Sequence, residues 1–350
     1  MKTPLNGGDE LIRAVLLEQW HLEVTHLHFI PIGDSAYSYR VMTHSDRSYY
    51  LKLVDQRTAR GRRIAAHMNY SLPLQRLVVE HQLAEVTAPL PQPTINGVLC
   101  AMNEPFLFAL YTFIHGDTFA DAYPMSPTLV QQIGQALAAL HIIQIPEALQ
   151  ERSPQDSLTA LFDVGLLADV ASLEAITSQD ALYLQRLREV VWPRREQIRA
   201  FLAHSQEYAR KAHQTPVSPV TCHGDAWGGN MIMSPSGQLT FLDWESAVIA
   251  PAERDTFMYM GYIGGPDFTA FNAGYRMIHK EQMHWHANWL AYYAYRSQLK
   301  NLAQWMHSLL HEPLNKVQRD NDVTMIEHHC LDRWESVERT AAGLVTMLSQ

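Results

Sequence analysis

Three runs near the N-terminus, VTHLHFIPIG (24–33), AYSYRVM (36–42) and SYYLKLV (48–54), are rich in β-branched and aromatic residues and read as strands. Gly33-Asp34-Ser35 and Ser45-Asp46-Arg47 punctuate them, which predicts an antiparallel meander. Ahead of it, ELIRAVLLEQW (10–20) places Leu11, Val15 and Leu16 on one stripe and predicts a short amphipathic helix. Residues 64–85 follow a mostly helical pattern, with Pro73 expected to start, kink or end a helix there. The proline-rich TAPLPQPTING (87–97) then leads to two more strand candidates, around 98–102 and 106–113.

Beyond residue 113 the pattern turns helical. Ser126-Pro127 supplies an N-cap and a first-turn proline, and Leu129, Ile133, Leu137 and Leu140 follow at helix spacing. No glycine occurs between Gly165 and Gly224, so residues 157–213 predict two or three helices. Residues 252–350 read as helices again, with tryptophans at 285, 289, 305 and 334. A chain of 350 residues exceeds the size at which one core usually keeps growing. The expected fold class is therefore α+β in two lobes, residues 1–113 and 114–350.

Composition narrows the function classes. The net charge is −9 and the one basic cluster is Arg60-Gly61-Arg62-Arg63, which argues against a nucleic-acid footprint and mildly favours a cationic small molecule. Cys100, Cys222 and Cys330 are too few and too scattered for a disulfide framework or a metal cluster, as a reducing compartment allows. MKTPLNGGDE has no apolar leader core, and no apolar run approaches a membrane span. A soluble cytoplasmic protein is expected. Histidines at 279, 284 and 286, or 328 and 329 beside Cys330, lack ligand-type spacing and read as solvated or core residues.

One stretch breaks the helical half: CHGDAWGGNMIMSPSGQLTFLDWE, residues 222–245. Met231-Ile232-Met233 and Leu239-Thr240-Phe241-Leu242 flank the turn residues Ser234-Pro235-Ser236-Gly237 and predict a hairpin. Symmetric pairing about that turn sets Asn230 opposite Phe241 and Gly228 opposite Asp243. Alternation then puts Asn230 and Asp243 on one face at one end, an oxygen pair suited to Mg²⁺. Asp225, five residues before Asn230, can reach the same point. Phosphoryl transfer needs such parts: a carboxylate for the attacking hydroxyl and ligands for a phosphate-bound metal.

His223-Gly224-Asp225, Asn230 and Asp243-Trp244-Glu245 resemble the catalytic and metal-binding segment of the aminoglycoside phosphotransferase and choline kinase family, relatives of protein kinases. The resemblance runs from about residue 24 to about 275. It implies a protein-kinase-like fold with a small sheet lobe for nucleotide and a larger helical lobe for the acceptor. It implies ATP and Mg²⁺ as cofactors, Asp225 with His223 as catalytic residues, and Asn230 and Asp243 as metal ligands. Lys52, in the third strand, would hold the α- and β-phosphates. Ser35, or backbone amides near 34–36, would contact phosphate. LFALYTFIHGDTF (107–119), with Tyr111 and Phe113, would form the adenine-binding hinge. The helical glutamate that pairs with the lysine in the family has no early counterpart here: only Glu80 and Glu85 are available, Glu80 being the better placed. Asp255 stands where the family braces its catalytic loop. Glu253-Arg254-Asp255 and the glycines that follow resemble the spectinomycin phosphotransferase branch.

The expected acceptor is a small molecule with a hydroxyl, aminoglycoside- or aminocyclitol-like and cationic. Carboxylates would hold its ammonium groups. Trp285, Trp289, Tyr292, Tyr293 and Trp305 supply the aromatics that a quaternary ammonium needs, although such a stripe also reads as helix core. Choline, ethanolamine, homoserine and sugar kinases are the alternatives. The missing early glutamate keeps a non-catalytic, nucleotide-binding module open.

Overall fold

The computed structural model describes residues 1–31, 36–45, 47–154, 156, 162–259, 268–279 and 284–348. Helix α1 (Gly8–Trp20) precedes the meander β1 (Val24–Ile30), β2 (Tyr37–Thr43) and β3 (Ser48–Asp55). Helix α2 (Ala59–Glu80), a short β4 (Val86–Thr87), β5 (Ala101–Asn103) and β6 (Phe106–Thr112) follow. The antiparallel sheet runs in the order β1-β2-β3-β6-β5.

Strand alternation sorts this sheet into two faces. Leu51, Leu53, Phe106, Phe108 and Leu110 pack with Ile12, Val15 and Leu16 of α1. Val54, Leu107, Ala109 and Tyr111 pack on the other face with Ile64, Met68 and Leu72 of α2. Lys52, between Leu51 and Leu53, therefore points to the α2 side, into the cleft. Helix α2 begins earlier than its periodicity predicts, with the Thr58 hydroxyl accepting the Gly61 N–H at 2.9 Å. It also runs through Pro73. The carbonyl that loses its donor there is that of Asn69, an exposed residue, so its cost is small.

The second half contains α3 (Pro127–His141), α4 (Glu147–Gln150), α5 (Phe162–Ser172), α6 (Leu182–Val191) and α7 (Arg195–His213). Ser126 caps α3 through the Leu129 N–H, as its sequence predicts. Next come β7 (Val220–Cys222), β8 (Met231–Met233), β9 (Leu239–Phe241), β10 (Val248–Ala250), α8 (Glu253–Thr256), α9 (Phe268–Ile278), α10 (Ala287–His311), α11 (Lys316–His329) and α12 (Trp334–Leu348). Helix α10 is the hub, packed on α5, α7, α8, α11 and α12. Its Trp289, Tyr292, Tyr293 and Trp305 are core, with Trp289 stacked on Tyr293 at 5.9 Å.

The large helical core also takes in Tyr70, Leu74, Val78, Val86 and Ala88, from before residue 113. Strand β4 pairs in parallel with β9, tying this linker to the hairpin. Among the described residues, no helix is long and apolar enough to cross a membrane.

Candidate active site

Strands β7 and β10 pair, with Cys222 opposite Val248, and β7 delivers His223-Gly224-Asp225 into the cleft. Gly224 has φ +78°, and a Cβ on it would lie 2.0 Å from the Ser246 carbonyl oxygen. Only glycine fits that turn. Asp255, fully buried on α8, accepts the His223 N–H at 2.7 Å and the Gly224 N–H at 2.6 Å. His141 of α3 stands 3.2 Å from the same carboxylate and is held in turn by Tyr275 at 2.8 Å. Burial pushes Asp255 up, but these donors together bring it below the usual carboxylate value. The loop is thus braced from behind. The glycines that follow Asp255 in the sequence, 261, 264 and 265, lie outside the described residues.

The His223 ring is wholly buried. Its Nε2–H donates to the Leu242 carbonyl at 2.7 Å, and its Nδ1 accepts the Asp225 N–H at 3.3 Å. Both nitrogens are engaged with backbone, so His223 holds the loop in place rather than facing the cleft with a free ring nitrogen. Asn230 Nδ2 donates to the Asp225 carboxylate and to its backbone carbonyl, each at 2.9 Å. Burial raises the Asp225 carboxyl above its usual value, Lys300 lowers it, and the neighbouring Asp243 charge raises it further.

The hairpin register differs by one residue from symmetric pairing. Met231 lies opposite Phe241 and Met233 opposite Leu239, because the turn spans 234–238: Ser234 N–H donates to Gln238 O at 2.9 Å and Gly237 takes φ +86°. Alternation alone would then turn Asp243 away from Asn230. Asp243 instead leaves the strand with φ 55°, a left-handed conformation that costs a non-glycine residue about 1 kcal/mol or more. That turn aims its carboxylate back into the cleft.

Lys52 Nζ meets Asp243 Oδ1 at 2.8 Å and also contacts the Glu245 carboxylate. Burial alone would lower the Lys52 ammonium, but the Asp243 and Glu245 charges raise it well above its ordinary value. The same pairing more than offsets the partial desolvation of Asp243 and keeps it below the usual carboxylate range. Glu245, desolvated beside Asp243, is pushed up. Glu80 stands elsewhere, with its carboxylate 3.3 Å from Arg76 on the exposed face of α2. The structure therefore pairs Lys52 with Glu245, two residues after Asp243, in place of the α2 glutamate that the sequence led one to expect. Glu80→Ala is expected to change nucleotide KM less than about twofold, as an exposed pair predicts. Glu245→Gln should raise it about tenfold, the effect of losing one charge-assisted bond to Lys52. Equal KM values for the two variants would reject Glu245 as the partner.

Tyr111 shares the Lys52 face of the sheet, with its ring 6.1 Å from that of Tyr50. Phe113 donates its N–H to Ser48 O at 3.3 Å and lies 4.7 Å beneath the Arg40 guanidinium. Ser35 falls outside the described residues.

Asp225, Asp243 and Glu245 line a cleft of about 530 Å³ between α2, the catalytic loop and α10. The donor set suits a hard divalent cation. The Asn230 amide nitrogen is spent on Asp225, which leaves its Oδ1 as an acceptor, and Asp243, its side chain 42% exposed, uses only Oδ1 on Lys52.

A lysine-bearing sheet lobe closed over a braced Asp/Asn/Asp constellation defines a protein-kinase-like phosphotransferase. The chain matches the phosphotransferase enzyme family over residues 26–312 and belongs to it. Among curated proteins no sequence match is found. Solved structures share the fold. A spectinomycin phosphotransferase, APH(9)-Ia, in complex with ADP and spectinomycin, matches with a TM-score of 0.73 at 19% identity, covering 96% of this chain and 98% of that one. An amicoumacin kinase solved with AMP-PNP and Ca²⁺ gives 0.56 at 14%, over 92% and 93%. A macrolide 2′-phosphotransferase from Brachybacterium faecium gives 0.54 at 14%, over 92% and 98%.

Proposed function

We propose that this phosphotransferase moves the γ-phosphoryl group of a nucleoside triphosphate, ATP first among them, to a hydroxyl of a small-molecule acceptor. The carrying observation is Asp225: a braced carboxylate, hydrogen-bonded by Asn230, at the floor of the cleft. The acceptor oxygen attacks the γ-phosphorus as its proton passes to Asp225. The bond from that phosphorus to the β,γ-bridging oxygen breaks, and ADP leaves with the electron pair. Lys52 holds the α- and β-phosphates, and Glu245, which also contacts it, would keep it in place with Asp243 serving as a metal ligand. The open end of β6, around 113–116, offers backbone for the base. Bound through Asn230 and Asp243, Mg²⁺ would neutralise the phosphates and the developing charge.

Nucleotide complexes of fold neighbours, with ADP in one and AMP-PNP with Ca²⁺ in another, support this reading. The glutamate that meets Lys52 removes the motive for a non-catalytic module. The three free thiols, Cys100, Cys222 and Cys330, fit the cytoplasmic setting expected from sequence.

Spectinomycin, held by the APH(9)-Ia neighbour, makes an aminocyclitol the first cationic acceptor to test. Choline, ethanolamine, homoserine and simple sugars complete the panel. Mg·ATP consumption should rise with one acceptor and return to background in Asp225→Ala. Acceptor-stimulated turnover that persists in Asp225→Ala would overturn the assignment of Asp225 as the base.

A further inference from the structure

The cleft beside Asp225 carries a cluster of cations as well as its acids. Helix α10 contributes Lys300 and Arg296, α8 contributes Arg254, and α2 contributes Arg63, all lining the cavity that holds Asp225. Two of the acids in the same lining are already engaged. Asp156 takes Arg296 and the Tyr293 hydroxyl, the latter at 2.6 Å, and Asp169 takes His311 at 2.7 Å. Glu312, at the outer end, lies within Coulombic reach of Arg63.

Four cations are left over. Among the described residues, Lys300, Arg254, Arg63 and Arg60, all lining this cavity, have no carboxylate at salt-bridge distance; Arg254 rests over the Tyr293 ring, 5.6 Å from its centroid. Burial, with the Arg254 charge beside it, pulls the Lys300 ammonium down to about 8, a penalty that an incoming anion relieves. Lys300 and Arg254 both act on Asp225 electrostatically. Both line the same cavity as Asp225, the carboxylate that the reacting hydroxyl must reach.

Resting on the kinase reading above, the geometry points to an acceptor that carries a carboxylate or phosphate group, seated between Lys300 and Arg254 with its hydroxyl on Asp225. Arg and Lys are the groups that hold such anions in a desolvated site. The other source of the same chemistry is the γ-phosphate of the nucleotide, and the test separates the two.

Wild type is first saturated with Mg·AMP-PNP and then titrated by calorimetry with inorganic phosphate, glycerate and spectinomycin. Phosphate or glycerate should bind saturably with the nucleotide in place, the tighter one naming the anion. Lys300→Met and Arg254→Met should each weaken it by about tenfold or more, the worth of one charge-assisted contact, while AMP-PNP and ADP affinities stay level. Absence of saturable binding by either anion overturns the proposal, as does binding of spectinomycin alone. Variants that weaken AMP-PNP but spare ADP overturn it too, assigning the cations to the γ-phosphate. Failure of Mg·AMP-PNP itself to bind is a different result: it overturns the kinase reading.

Discussion

Asp225→Asn is expected to lower phosphoryl transfer by about 10²- to 10⁴-fold, the usual contribution of a positioned general base, with nucleotide affinity nearly unchanged. The substitution keeps the volume and the backbone carbonyl that Asn230 grips, so the loop braced by Asp255 stays in place. What goes is the negative oxygen that receives the proton. Lys52 and Asp243, which meet each other rather than Asp225, are left untouched by the substitution. The measurement is single-turnover transfer beside calorimetric binding of Mg·AMP-PNP. A large loss in binding with transfer reduced in proportion would place Asp225 in the nucleotide site and remove it as the base.

Asp243→Ala should act on the other half of the split. Its left-handed turn aims one carboxylate oxygen at Lys52 and leaves the other in the cleft. Loss of that ligand is expected to weaken Mg-dependent nucleotide binding by about 10- to 100-fold, the range seen when even a supporting partner of a metal site is removed. Chelation gives the internal control. EDTA should weaken nucleotide binding in wild type and do almost nothing further in Asp243→Ala, because the two changes remove the same interaction. Additive effects of EDTA and the substitution would move the metal off Asp243.

The two halves of the site differ in how far they could be read from the chain. His223, Asp225 and Asn230 lie within eight residues, and their relation is set by one loop whose glycine at 224 cannot be replaced without collision. Lys52 was legible through its strand, because alternation between Leu51 and Leu53 leaves it one direction to point. Its partner was not. The hydrogen bond from Lys52 to Asp243 spans 191 residues, and which acid meets it depends on how the sheet lobe settles on the hairpin. The hairpin itself shows the limit of local rules: one extra turn residue shifted the pairing, and a non-glycine in the left-handed region restored the convergence that simple alternation had promised for another reason.

Lys300 and Arg254 mark the same boundary. Arg296 and Lys300 stand four apart on α10 and so share a helix face. That Lys300 and Arg254 stay unpaired emerges only when α8 and α10 pack together and Asp156 takes Arg296 while Asp169 takes His311. By itself the sequence determined the elements, the two-lobed fold and the spacing of the chemical groups, since periodicity, capping and turn residues act over a few positions. The tertiary structure alone decided which charges meet and which stay unpaired. Charge pairing depends on distance in space and on desolvation, and packing sets both.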